Sequence, residues 1–198
     1  MNNQNGGSFF ALLYRMKYIP RWGLMRNSRE ENISEHSQDV AMLAYTLCVM
    51  RNRRFGGNVD ADRAALLALF HDVTEIVTGD LPTPVKYFNN DISGAYKDVE
   101  KAAAGKILKM LPDDMRADFE KLLLPDENDA ELWKIVKAAD KISALLKCVE
   151  EENAGNGEFA AAKASTLSAI RSLSVPEADM FIEEFLPSYS LPLDDLLG

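Results

Sequence analysis

Apolar residues recur along this chain every three to four positions, and no stretch alternates apolar and polar for long enough to read as a strand. That period predicts an all-α fold. Phe9, Leu12, Leu13 and Met16 share one face of a first helix over Ser8 to Tyr18, with Ser8 as N-cap and Pro20 and Gly23 in the loop beyond. A second helix is expected over Ser34 to Arg51, where Val40, Leu43, Leu47 and Met50 form a stripe; His36 lies one turn before it and faces inward. Past the turn at Gly56, Gly57 and Asn58, Asp60 caps a third helix expected to run through His71 and Asp72 to Glu75, and a loop follows at Gly79, Pro82 and Pro84. Further helices are expected over Ile92 to Met110, Asp113 to Leu124, Ala130 to Glu152, Glu158 to Leu173 and Glu177 to Leu186. The helix from Ala130 turns Leu132, Val136, Ala139, Leu146 and Val149 inward and places Asp140 near its middle.

With 198 residues, no internal repeat and no long linker, the chain is expected to form one domain over 1–198, its polar residues 1–7 being a flexible tail. The formal charge of -9 lacks the basic footprint of a protein that binds nucleic-acid polymers or anionic membranes. A phosphate-bearing substrate would therefore need local arginines or a metal ion. Cys48 and Cys148 sit in apolar helical patterns with no Cys-x-x-Cys pair, which fits reduced core thiols and a cytoplasmic protein. Neither a signal-peptide pattern nor a run of 18 apolar residues occurs, so no secretion and no membrane span are expected.

Phosphate-binding glycine loops, dinucleotide fingerprints and serine elbows are absent, and the chemistry concentrates on the chain's two histidines. His71 and Asp72 are adjacent, and an imidazole and a carboxylate so placed can converge on one cation. The pair alone is weak, because composition produces a His-Asp dipeptide in about one such sequence in six. His36 at the start of an apolar face and Asp140 among Val136, Ala139 and Ile142 strengthen it, since a buried carboxylate needs a partner or a metal. Taken singly, each has a plainer use: Asp140 paired with Lys137, Lys141 or Lys147, and His36 bonding the backbone. Together the four make a mixed N/O set suited to Mn, Co, Fe, Ni or Zn with open positions for water and substrate, which points to hydrolysis of a phosphate ester.

The arrangement His36, His71-Asp72, Asp140 resembles the signature of the HD-domain metal-dependent phosphohydrolases, a compact multi-helix bundle. More closely, Arg21-Trp22-Gly23-Leu24-Met25-Arg26, Asn32-Ile33-Ser34-Glu35-His36-Ser37, His71-Asp72-Val73-Thr74-Glu75 and the stretch from Gly79 to Phe88 resemble the bacterial 5'-deoxynucleotidase branch. The resemblance implies a homodimer that hydrolyses deoxyribonucleoside 5'-monophosphates, prefers deoxyribose over ribose and has little base selectivity. It also implies one divalent ion per subunit, Co, Mn or similar, held by His36, His71, Asp72 and Asp140.

By that resemblance Arg21, which carries a planar fork of donors, orients the 5'-phosphate, and Trp22 packs near the sugar. Glu75 follows His71 by four residues, so on a continuing helix it shares the face of the pair and is expected to be the catalytic residue that handles the proton, with Asp80 as the alternative. Asp80, Leu81, Pro82 and Thr83 form a rigid loop beside substrate, which also contacts His36, Asp72 and Asp140. Two other readings exist: a guanosine tetraphosphate pyrophosphohydrolase, disfavoured because Ile76 stands where a second acidic residue is usual, and a non-catalytic helical dimer with a vestigial site.

Overall fold

Helices dominate the computed structural model, which describes residues 7–86, 88–124 and 126–198. Of the expected tail only Gly7 is among these residues, and Tyr87 of the last motif stretch lies outside them. Helix α1 (Ser8–Leu13) has Gly7 rather than Ser8 at its N-cap and passes into a 3₁₀ turn over Tyr14–Tyr18. Pro20 explains the stop, because it pushes Ile19 into extended backbone.

Helix α2 (Ile33–Arg54) starts after Asn32, whose Oδ1 accepts the Ser34 and Glu35 N–H groups at 3.0 and 3.1 Å. Its stripe of Val40, Leu43, Leu47 and Met50 is buried, as is His36. Helix α3 (Ala61–Phe70), capped by Asp60 on the Arg63 N–H, ends one residue before His71 instead of running to Glu75. His71 causes the break: its own N–H and its Nδ1 both lie on the Ala68 carbonyl, at 3.4 and 2.7 Å, occupying the acceptor that a continuing α-helix would offer to Asp72. Residues 71–74 turn tightly instead, with Glu75 N–H bonded to the Asp72 carbonyl at 2.9 Å, and Glu75 opens the one-turn helix α4 (Glu75–Thr78).

The expected loop through Thr83 is shorter than the sequence suggests. Thr83 begins helix α5 (Thr83–Lys86), because the Pro82 carbonyl accepts from Val85 and Lys86 and Pro84 needs no partner of its own there. Then come α6 (Asn90–Leu108), α7 (Asp113–Leu123), α8 (Ala130–Asn153), α9 (Ala160–Ser172), α10 (Pro176–Phe185) and α11 (Leu193–Leu197). Among the described residues there is no strand, only an isolated antiparallel bridge between Pro20 and Asn32.

Two apolar clusters carry the packing. One lies between α2, α3, α8 and α10 around Leu47, Leu67, Ile135, Ile142 and Leu145; the other gathers Phe9, Met16, Ile33, Val73, Ile107 and Leu111. Phe70 and Phe119 pack against both, their rings 6.0 Å apart, so the segment leading into His71 is gripped from two sides. Leu47 at the centre of α2 is fully buried. Leu47→Ala is expected to cost about 2–5 kcal/mol in chemical denaturation with an unchanged slope. Cys48 and Cys148 are buried free thiols, which burial pushes up to about 12 and about 11. No helix among the described residues is long and apolar enough to cross a membrane.

Candidate active site

The start of α2, the turn after α3 and the middle of α8 meet at one point. His36 Nε2, His71 Nε2 and Asp72 Oδ2 approach there: Asp72 Oδ2 is 3.1 Å from His71 Nε2 and 3.5 Å from His36 Nε2. Ligand atoms of these three residues lie within 4.8 Å of one another. Asp140 joins from α8, with Oδ1 3.2 Å from His36 Nε2 and Oδ2 3.0 Å from Lys141 Nζ. Its two oxygens thus serve both uses that its sequence neighbourhood suggests.

The far side of each imidazole fixes which nitrogen faces the centre. His71 Nδ1 donates to the Ala68 carbonyl at 2.7 Å, and His36 Nδ1 lies 3.1 Å from Ser143 Oγ and 3.5 Å from Glu31 Oε1. With a proton on each Nδ1, both Nε2 lone pairs point inward. Both Nε2 atoms are buried and make no well-aligned hydrogen bond, although carboxylate oxygens stand 3.2 and 3.1 Å from them. Two orphaned buried imidazole nitrogens beside two carboxylates are what a divalent transition metal requires, so these residues fit such an ion. Burial alone would raise the Asp72 and Asp140 carboxyls, but His71, His36 and Arg21 around Asp72, and His36 and Lys141 around Asp140, hold both well below the usual range.

Arg21 and Trp22 enter on the segment that precedes α2. Arg21 Nη1 is 3.5 Å from Asp72 Oδ2 and its Nε is 3.6 Å from Glu31 Oε1. Burial disfavours its charge, yet Asp72, Glu31, Asp140 and Asp80 more than offset that, and the guanidinium stays above its ordinary value. Trp22 has a left-handed φ of 59°, rare for a residue with a side chain; its Nε1 donates to Glu31 Oε2 at 2.8 Å and its ring lies 5.3 Å from that of Phe159. Glu75 is buried with an unpartnered Oε2, and burial, then Asp72 and Asp80, push its carboxyl up to about 9. Burial likewise raises Asp80, which follows the positive-φ Gly79 and faces the Trp22 backbone N–H. Leu81 and Pro82 are half-buried, whereas Thr83 is exposed at the start of α5. Lys86 pairs with Glu100 at 2.9 Å, and one bond between the Thr78 and Tyr96 hydroxyls, at 3.2 Å, also ties this stretch to α6.

Sequence reasoning missed Glu31 and Ser143. Ser143 was legible, because it stands one turn beyond Asp140 on the same helix face. Glu31 was not, since its place depends on a loop closure in which Arg21 N–H bonds the Glu31 carbonyl at 2.9 Å. A second missed group moors this loop to α8. Glu151, wholly buried, accepts Lys147 Nζ at 2.6 Å, Asn156 Nδ2 at 2.8 Å and the Ser28 N–H at 2.8 Å. Burial would raise its carboxyl, but Lys147, Asn156 and Ser28 hold it at about 2. A folded-state value below the ordinary 4.5 stabilises the fold above that pH and loses its effect as pH falls towards 2. Glu151→Gln, which takes the nearest carboxylate from the buried Lys147, is expected to lose about 3–5 kcal/mol in denaturation at neutral pH. The gap to the wild type should close between about pH 4.5 and 2.

The all-helical fold is shared with solved HD-domain phosphohydrolases. The fold matches the crystal structure of an HD-domain phosphohydrolase, lin2634, from Listeria innocua with a TM-score of 0.80, at 24% identity over 92% of this chain and 88% of that one. It also matches the cyanophage S-2L HD phosphohydrolase DatZ, solved bound to dA and one catalytic Zn2+ ion, with a TM-score of 0.62 at 21% identity, over 90% of this chain and 95% of that one.

The chain belongs to the 5'-deoxynucleotidase YfbR-like family, whose model matches residues 8–189. Over 188 residues it is 50% identical to the 5'-deoxynucleotidase YfbR of Escherichia coli, covering 95% of this chain and 94% of that one. Identity to the 5'-deoxynucleotidase VV1113 of Vibrio vulnificus is 48%, over 95% of this chain and 97% of that one.

Proposed function

We propose that this protein hydrolyses deoxyribonucleoside 5'-monophosphates to deoxynucleosides and phosphate, using one divalent ion held by His36, His71, Asp72 and Asp140. The observation that carries the reading is the pair of orphaned Nε2 atoms converging with Asp72 Oδ2, set in a chain of the 5'-deoxynucleotidase family. A divalent ion supplies Lewis acidity, making water nucleophilic at neutral pH and drawing charge off a phosphoryl oxygen.

The protein's own groups do the rest. Arg21, pinned between Asp72 and Glu31, presents donors to the 5'-phosphate in a protein of net charge -9. Glu75, raised by its burial, holds a proton close to where the leaving 5'-oxygen needs one, and Asp80 faces the same space. Trp22 forms an apolar wall at the sugar. A wall that only crowds a hydroxyl discriminates by roughly 100-fold, so ribonucleotides should be poor rather than inert substrates. Leu81, Pro82 and Thr83 line the approach, and little base selectivity is expected. The reading extends to cobalt or manganese as the ion and to a cytoplasmic homodimer. The reduced thiols Cys48 and Cys148 support the compartment and the family resemblance the dimer.

The test is phosphate release by chelator-treated protein, with Co, Mn or Mg restored, from deoxy- and ribonucleoside monophosphates, triphosphates and guanosine tetraphosphate. Deoxynucleoside monophosphates should turn over fastest and only with metal. Turnover of another substrate alone, or indifference to metal, overturns the reading.

A further inference from the structure

One carboxylate touches three groups of the site without belonging to it. Glu31 Oε2 accepts the Trp22 indole N–H at 2.8 Å, and Oε1 lies 3.5 Å from His36 Nδ1 and 3.6 Å from Arg21 Nε. Its side chain is only 11% exposed. We propose that Glu31 is a positioning residue that couples ion binding to sugar selectivity, resting on the roles given above to His36 and Trp22.

The coupling follows from what each contact constrains. A proton on His36 Nδ1 faces the Glu31 carboxylate and the Ser143 hydroxyl, which leaves the Nε2 lone pair for the ion. Trp22 is held in left-handed backbone, a conformation that persists only when its surroundings over-determine it. The Phe159 ring and the Glu31 carboxylate are what hold its side chain. The same loop is closed by the Arg21 N–H on the Glu31 carbonyl, so side chain and main chain of Glu31 act on one segment. Releasing the carboxylate therefore loosens an imidazole on one side and the sugar wall on the other.

Glu31→Ala and Glu31→Gln separate these two effects. The measurements are Co2+ affinity of the full chain by chelator competition without substrate, and the ratio of kcat/KM for a deoxy- over a ribonucleoside monophosphate of the same base. Glu31→Ala should bind Co2+ about 10–100-fold more weakly, as outer-sphere partners of ligating histidines do when removed. Its deoxyribose ratio should fall about tenfold as the wall swings free. Glu31→Gln keeps a carbonyl for the indole N–H, so its ratio should stay within about twofold of the wild type while its Co2+ affinity falls. Wild-type affinity and ratio in Glu31→Ala would overturn the proposal, as would an equal loss of ratio in both variants, which would mark a general packing defect. If Glu31→Ala does not fold, unchanged Co2+ affinity in Glu31→Gln overturns it. Should the wild type release no phosphate from either nucleotide, the proposed activity fails, and the Co2+ affinities still judge Glu31.

Discussion

Asp72→Ala is expected to empty the metal centre and abolish turnover. Asp72 Oδ2 is the atom shared by the site: it stands 3.1 Å from His71 Nε2, and 3.5 Å from both His36 Nε2 and Arg21 Nη1. Without it the two imidazoles and Asp140 remain, and Asp140 already shares an oxygen with Lys141. Arg21 would then face the imidazoles with less to neutralise it, which disfavours a cation there. Metal analysis after dialysis should find little bound ion, and activity should not return at ordinary metal concentrations. Full occupancy in Asp72→Ala would remove Asp72 from the ligand set.

Glu75→Gln should separate binding from chemistry. The amide has almost the same shape as the protonated carboxyl that burial, Asp72 and Asp80 maintain, so the variant should fold and hold metal like the wild type. It has no acid proton to deliver. Loss of a positioned acid or base costs about 10²–10⁴-fold, and the loss should fall on kcat with KM little changed. A Glu75→Gln enzyme with wild-type kcat would pass the proton role to Asp80.

The long helices were legible because their apolar faces decide them. Val40, Leu43, Leu47 and Met50 are buried on α2, and Leu132, Val136, Ala139 and Val149 on α8. The end of α3 was not legible, since a side-chain bond from His71 to Ala68 overrides the helical pattern at the residue whose chemistry matters most. Spacing alone also puts Glu75 beside the His71-Asp72 pair, and it stays close to Asp72, the turn over 71–74 keeping bonds that reach back three residues. Thr83 followed the opposite course: its proline-rich setting reads as loop, yet local bonds to Pro82 wind it into α5 and leave it exposed. Glu31 escaped notice because its partners Arg21, Trp22 and His36 are brought to it only by a closed loop and a helix start.

Helix α8 serves as a common yardstick for the molecule. Asp140 and Ser143 attach it to the imidazole of α2, and Lys147 and Glu151, about 10 and 16 Å from Asp140 along the axis, attach it to the loop that carries Arg21. The distance between His36 and Arg21 is therefore referred to a single hydrogen-bonded rod, not to a chain of flexible joints. Small shifts of α8 carry both halves of the site together and preserve their alignment.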